Sequence, residues 1–138
     1  MNMTKIFVSH SRRDSVVAEK IAHAIQKVGS PPVTVFLDQN IKPEDDFREV
    51  IDTNLRASDA VLVVAASPDA VSNSWVGYEI GAAEALRKPI VLLTSNRHSR
   101  SELPEDLGSF PVVVFDPEAP EGAAQEIVGR LSSYSSKK

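Results

Sequence analysis

The chain has 138 residues, 42% of them hydrophobic and 25% charged, which excludes a disordered protein and suits one globular domain. Its 15 Lys and Arg against 19 Asp and Glu give a formal charge of −4, which argues against nucleic acid as a partner. Because the chain contains no cysteine, disulfides, cysteine–zinc sites and thiol nucleophiles are excluded. No signal-peptide core follows Met1, and the longest apolar run, residues 60–66, is too short to span a bilayer. We therefore expect a cytoplasmic protein that does not enter a membrane.

Apolar runs of strand length alternate with amphipathic stretches of helix length. Polar loops are expected at residues 39–46 and 94–111. A single domain is predicted over residues 1–131, followed by a flexible tail or the start of a linker at 132–138. In chain order, the pattern predicts a strand at 6–8, a helix at 14–28, a strand at 33–37, a helix at 47–55, a strand at 60–66, a helix at 74–87, strands at 90–93 and 112–115, and a helix at 121–131.

This alternation predicts an α/β fold with helices on both faces of a parallel sheet. The expected strand order is 2-1-3-4-5, the flavodoxin-like three-layer sandwich, with a ligand site outside the carboxyl ends of strands 1 and 3. The turn after strand 1, residues 9–13, contains no glycine, which excludes a dinucleotide-binding fingerprint. Strand 3 ends in Ala65-Ala66-Ser67, so the acid that a phosphoacceptor receiver domain needs at that place is missing.

The third predicted helix places a carboxylate in line with an apolar stripe. Trp75 and Glu79 are four residues apart and share one helix face. The face continues through Ala82, Ala83 and Leu86, so it should point into the protein. Because a buried charge is costly unless it is paired or used, Glu79 is a candidate functional residue. In the alternative interpretation, Glu79 lies at the edge of the stripe and pairs with an arginine.

Three further residues of this helix receive structural interpretations. Glu84 has the neighbours of a solvated face, and we assign it no function. Gly77 and Gly81, also four residues apart, indicate close helix packing more often than chemistry.

Polar side chains follow the first two strands. The pair Arg12-Arg13 is either solvated or positioned to hold a phosphate, and His10 is either a hydrogen-bonded structural residue or part of a site. Asp38 ends strand 2, where an acid either caps a turn or binds hydroxyls. The three histidines of the chain lack metal-ligand spacing, so no metal site is predicted.

Taken together, these segments resemble the Toll/interleukin-1 receptor (TIR) domain family over nearly the whole chain. The first box reads Phe7-Val8-Ser9-His10, and the second reads Val35-Phe36-Leu37-Asp38 and leads into a loop like the BB loop of the family. The third comprises residues 57–64 and the run Ser74-Trp75-Val76-Gly77-Tyr78-Glu79. The resemblance implies the flavodoxin-like fold and self-association through TIR–TIR contacts.

The Trp-x-x-x-Glu pattern matches enzymatic TIR domains, in which the Glu is the catalytic residue of an NAD⁺ glycohydrolase. The resemblance therefore implies that Glu79 is catalytic, that NAD⁺ is the substrate and that no other cofactor is needed. The product would be ADP-ribose or a cyclic isomer, and the setting would be immune defence. The implied substrate-binding residues are Ser9, His10, Arg12, Asp38, Phe47 and Trp75. The implied assembly residues of the BB loop are Asn40, Lys42, Pro43, Glu44 and Asp45.

Two departures from the family pattern accompany the resemblance. Pro43 is followed by Glu44-Asp45 where the BB loop commonly has a Gly-Asp pair, and the Phe-Trp box of animal receptors is missing from residues 110–115. The more acidic, stiffer loop is expected to alter assembly or gating, and the missing Phe-Trp box favours a bacterial-type or stand-alone member. Two alternatives remain open, a non-enzymatic TIR scaffold and a deoxyribosyltransferase-like enzyme acting on nucleosides.

Overall fold

Five parallel strands form one sheet with helices on both faces in the computed structural model of the chain. The elements are β1 (Lys5–Ser9), a 3₁₀ turn (Arg12–Asp14), α1 (Ser15–Val28), β2 (Thr34–Leu37), α2 (Phe47–Ala57), β3 (Ala60–Val64), α3 (Ser74–Ala85), β4 (Ile90–Thr94), β5 (Val112–Val114) and α4 (Pro120–Ser136). The strand order is β2-β1-β3-β4-β5 and every neighbouring pair is parallel. The predicted α/β class, strand order and flavodoxin-like architecture are thereby confirmed.

The structure describes six segments of the chain, residues 5–29, 33–37, 47–65, 74–94, 110–116 and 118–136. Within them, the side chains of Arg12, Phe47, Arg48, Ser74, Trp75 and residues 132–136 are not described. The predicted loop at 39–46 and most of the predicted loop at 94–111 lie outside these segments. Among the helices of the described segments, none combines the length and the apolar composition needed to cross a bilayer.

Strand side chains alternate between the two faces of the sheet, and one pair of helices covers each face. In β1, Ile6 and Val8 join the buried cluster packed by α1 and α4, whereas Phe7 joins the cluster packed by α2 and α3. All residues of β3 and β4 are buried. Coverage on both faces explains why these strands are near-continuous apolar runs in the sequence.

Gly29 follows the first helix, directly after the boundary predicted at residue 28. Its N–H donates to the carbonyl of Ile25 at 3.0 Å, and it is the C-cap of the helix. A Cβ added at Gly29 would lie 2.9 Å from Cγ2 of Val33. The close approach of β2 to the end of α1 therefore requires a residue without a side chain.

The third helix ends two residues before the boundary predicted at Arg87. Arg87 has a φ of 58°, so it lies in the left-handed region and cannot continue a right-handed helix. The N–H groups of Arg87 and Lys88 donate to the carbonyls of Glu84 and Ala83, each at 3.0 Å. This is a Schellman cap, which satisfies the last carbonyls of α3 and turns the chain toward β4.

The last helix extends five residues beyond the predicted end at Leu131 and runs to Ser136. No glycine or proline follows Leu131 to interrupt the backbone hydrogen bonds. Most of the segment that the composition predicts as a tail is therefore helical in the structure.

Candidate functional site

The carboxyl ends of β1 and β3 lie side by side near the middle of the sheet. Because β1 pairs with β2 on one side and with β3 on the other, the chain leaves β1 at the switch point of the topology. Ligand sites in open parallel sheets form at this place. Ser9 is the last residue of β1 and pairs with Val63 of β3, so it lies at the edge where the sequence predicts a site.

The alternation of the strand decides which way Ser9 points. Its neighbour Val8 belongs to the cluster under α1 and α4, and Phe7 belongs to the cluster under α2 and α3. Since side chains alternate strictly along a strand, Ser9 points to the same side as Phe7, toward α2 and α3. Its side chain is fully buried.

Glu79 reaches the same place from α3. The buried face of this helix carries Val76, Ile80 and Ala83, which are spaced for one face. Glu79 lies between Val76 and Ile80 and has 0% of its surface exposed. Of the stripe predicted from the sequence, Glu79 and Ala83 are buried, Ala82 and Leu86 are half-buried, and the side chain of Trp75 is not described. The buried face therefore differs from the predicted line by including Val76 and Ile80, but Glu79 is buried as part of it.

A hydrogen bond joins the two elements at this point. The Ser9 hydroxyl donates to Oε1 of Glu79 at 2.5 Å, across 70 residues of sequence. The other carboxylate oxygen, Oε2, is also shielded from solvent. A buried carboxylate is costly unless it is hydrogen-bonded, and donation from a hydroxyl favours its ionised form. This donor is a neutral hydroxyl, so the hydrogen bond itself adds no positive charge beside the carboxylate.

The turn between β1 and α1 is tied together by short-range contacts. The backbone N–H of Asp14 donates to the carbonyl of Ser11 at 3.1 Å. Nδ1 of His10 lies 2.9 Å from the same carbonyl, a distance at which this nitrogen donates its hydrogen. His10, Ser11 and Asp14 are all buried, so this turn forms a closely packed boundary of the site.

The structure brings together two of the predicted site residues, Ser9 and Glu79, and His10 follows Ser9 directly in the chain. Trp75 lies on α3 one turn before Glu79, and Phe47 begins α2, but their side chains are not described. The side chain of Arg12 is likewise outside the description. The remaining predicted residues lie outside the described segments: Asp38, Asn40, Lys42, Pro43, Glu44 and Asp45.

Sequence reasoning missed Thr94, which is 1% exposed at the carboxyl end of β4. Ile90 and Leu92 belong to the cluster under α2 and α3, so the period of two directs Thr94 to the same side as Ser9. That period was present in the sequence. The prediction instead assigned Thr94 to the polar loop that follows.

The packing role predicted for two glycines of α3 is wrong. Gly77 and Gly81 were expected to allow close helix packing, but both are exposed, and an added Cβ would meet no atom within 4 Å. They lie on the side of α3 that is turned away from Val76 and Ile80. Glu84 is exposed on the same helix, which confirms the solvated face predicted for it.

A groove of about 370 Å³ lies on the opposite helical layer, between α1 and α4. It is separated from Glu79 by the sheet and is not part of the candidate site. Within the described segments, no group of three His, Asp or Glu side chains could hold a metal ion. The groove is lined by Glu19, Lys20, His23, Ala24, Pro120 and Glu121.

A family model described as "TIR domain" matches residues 6–128. The chain belongs to the TIR domain family. The match begins in β1, ends in α4 and includes both Ser9 and Glu79. None of the curated proteins is similar enough to this TIR domain to match it.

Two solved structures share the fold of this TIR domain. A prokaryotic SEFIR domain is 19% identical, covers 94% of this chain and 98% of its own, and superposes with a TM-score of 0.65. A 2-deoxyribosyltransferase from the psychrotolerant bacterium Bacillus psychrosaccharolyticus is 15% identical, covers 93% and 96%, and has a TM-score of 0.58. At these identities the likeness concerns the fold.

Proposed function

We propose that this TIR domain cleaves NAD⁺ between nicotinamide and ribose, with Glu79 as the catalytic carboxylate. The observation that carries the proposal is the buried Ser9–Glu79 hydrogen bond at the carboxyl edge of the sheet. Family membership supports it because the TIR family includes NAD⁺-cleaving enzymes. A fully buried acid is costly to keep, and such groups concentrate at functional sites.

The chemistry suits a single negative charge. Nicotinamide on NAD⁺ is a cationic leaving group, so the C1′–N bond breaks without a general acid and its electron pair departs with the nitrogen. The ribose becomes oxocarbenium-like, and the Glu79 carboxylate stabilises that positive charge. Water adds to C1′ and releases a proton, which gives ADP-ribose. If an atom of the substrate adds instead, the product is a cyclic isomer.

Further substrate contacts belong to the same proposal. Trp75, one turn before Glu79, supplies an aromatic wall, while His10 and Arg12 bind from the turn after β1. Asp38 and Phe47 bind from the end of β2 and the start of α2. NAD⁺ is the substrate, and the reaction needs no further cofactor.

We further propose that self-association switches the enzyme on, in the cytoplasm, as part of immune defence. The contacts would come from the BB loop, residues 39–46, including Asn40, Lys42, Pro43, Glu44 and Asp45. A substitution in this loop that abolishes assembly should also abolish NAD⁺ cleavage. Cleavage by a variant that no longer assembles would overturn the activation mechanism and leave the catalytic assignment in place.

The decisive experiment measures NAD⁺ loss and the nucleotide formed at high protein concentration. The wild type is compared with Glu79→Gln, which keeps the size of the side chain and removes the charge. Glu84→Gln is the matched control, because Glu84 is an exposed acid on the same helix. We expect Glu79→Gln to lower the rate on the order of 100-fold or more and Glu84→Gln to leave it unchanged. Full activity in Glu79→Gln would refute the assignment.

A second candidate function is a TIR scaffold that signals by assembly without catalysis. The complete burial of the Glu79 side chain favours it, because a shielded carboxylate touches no substrate in this form. Forced clustering separates the two candidates: an enzyme then consumes NAD⁺, whereas a scaffold assembles and leaves it intact. A nucleoside panel tests a third outcome, since the 2-deoxyribosyltransferase of similar fold is described as a biocatalyst for nucleoside synthesis.

A further inference from the structure

We propose that Ser9 is a positioning residue that holds the Glu79 carboxylate, and that it does not bind substrate. This inference rests on the proposed function. The Ser9 hydroxyl has one hydrogen, and that hydrogen is donated to Oε1 of Glu79. The Ser9 side chain is as deeply buried as that of Glu79, and its hydrogen is committed to this contact. The hydrogen bond therefore places the function of Ser9 in its contact with Glu79.

The scaffold makes Ser9 a rigid anchor. It ends β1, an inner strand that is hydrogen-bonded to β2 on one side and β3 on the other. Glu79, in contrast, has a long side chain with several rotatable bonds and projects from a helix. A hydrogen bond from the strand to Oε1 restricts those rotations and thereby fixes the direction of Oε2. Such pre-organisation is what a catalytic group requires for its rate.

The chemical nature of the anchor fits the proposed reaction. Val76 and Ile80, which flank Glu79 in the sequence of α3, belong to the apolar cluster under α2 and α3. A carboxylate that is buried on such a helix face is costly unless it is hydrogen-bonded. The Ser9 hydroxyl supplies that hydrogen bond and adds no positive charge of its own to oppose the action of Glu79 on the oxocarbenium-like ribose.

The test compares Ser9→Ala, which removes the donor, with Ser9→Thr, which restores a hydroxyl. If Ser9 positions Glu79, Ser9→Ala lowers kcat about 10- to 100-fold while KM changes less than about 3-fold. Ser9→Thr should recover kcat to within about 5-fold of the wild type. An increase in KM with kcat unchanged would show that Ser9 contacts substrate and would overturn the inference, as would wild-type kinetics in Ser9→Ala.

Ser58→Ala is the matched control for the loss of a buried hydroxyl. Ser58 is 1% exposed and donates to the carbonyl of Asn54 at 2.6 Å, at the end of α2 and away from Glu79. Its removal should destabilise the fold by an amount similar to that of Ser9→Ala and leave kcat unchanged. Equal kcat losses in the two alanine variants would mean that both act through stability alone and would overturn the inference.

A spectroscopic measurement tests the positioning role of Ser9 independently of the proposed NAD⁺ cleavage. The infrared difference between the wild type and Glu79→Gln isolates the carboxylate band of Glu79. We expect this band to shift in the Ser9→Ala background, because a hydrogen bond to Oε1 is lost, and to return toward its wild-type position in Ser9→Thr. An unshifted band overturns the Ser9 inference even if the wild type cleaves NAD⁺. A wild type that cleaves none, even when clustered, overturns the proposed function.

Discussion

The two helical layers of this TIR domain differ in what they bury against the sheet. Under α1 and α4 the cluster of buried residues is apolar and extends from β1 to β5. A second apolar cluster lies under α2 and α3, and it is on this side that Ser9 and Glu79 meet. In the first layer the buried acid Asp14 lies at the start of α1, whereas in the second the carboxylate of Glu79 is buried in the middle of a helix, where a core does not need it.

The difference between the two layers shows that the fold accommodates a destabilising buried carboxylate on the side of α2 and α3. The free energy of unfolding of a protein is only about 5 to 15 kcal/mol. Burying an acid lowers it by a considerable fraction in a chain of this size. The apolar cluster under α1 and α4 offsets that cost from the other face of the sheet. Stability and the proposed chemistry can therefore be perturbed separately, and the following substitutions do so.

The largest effect is expected from a matched pair of core truncations, Ile25→Ala in α1 and Ile51→Ala in α2. Both side chains are fully buried, one in each cluster, so each variant should lose about 3 kcal/mol of unfolding free energy. Only Ile51→Ala should lower NAD⁺ cleavage by the folded protein, because its cavity lies in the cluster that contains Val76 and Ile80. Urea titration and activity at low temperature check this. An equal loss of specific activity in both would contradict the division between the layers.

The second substitution is expected to stabilise the protein instead of destabilising it. Glu79→Gln should raise the unfolding free energy by roughly 1 kcal/mol near neutral pH, because the buried charge is removed while the volume is kept. The described donor to Glu79 is a neutral hydroxyl, so no opposite charge of that pair is left behind. Denaturant titration beside Glu84→Gln, which should be neutral, checks it. A loss of stability in Glu79→Gln would support a structural role for the acid.

The sequence was sufficient for the fold because hydrophobic periodicity is a local signal. The runs at residues 60–64 and 90–94 are buried on both faces, and alternation of strands with helices allows few topologies. The face occupied by Glu79 followed from its spacing to Ala83 on one helix. Its partner did not, because Ser9 is 70 residues away and no local pattern encodes such a contact.

Two errors show what periodicity does not determine. Gly77 and Gly81 were interpreted as packing residues because their spacing suits a helix interface, yet spacing cannot tell which face of a helix is covered. Thr94 was assigned to a loop because polarity outweighed the period of two set by Ile90 and Leu92. For the two glycines the deciding fact is which face of α3 is covered, which is a property of the tertiary structure, whereas the period that places Thr94 was already present in the sequence.

The smallest change in stability is expected from substitutions that compare the exposed faces of α3 and α4. Gly81 in α3 and Gly129 in α4 are both exposed helical residues, and at each an added Cβ would meet no atom within 4 Å. Because glycine is less favourable than alanine inside a helix, Gly81→Ala and Gly129→Ala should each stabilise the isolated domain by about 0.5 to 1 kcal/mol. Thermal and denaturant unfolding at low protein concentration measure both. Equal gains mean that the exposed faces of α3 and α4 are equally open, so that the two layers differ only in their interiors. A gain for Gly129→Ala with a loss for Gly81→Ala would show that the outer face of α3 is itself constrained, and the comparison would then extend from the buried side of that layer to its surface.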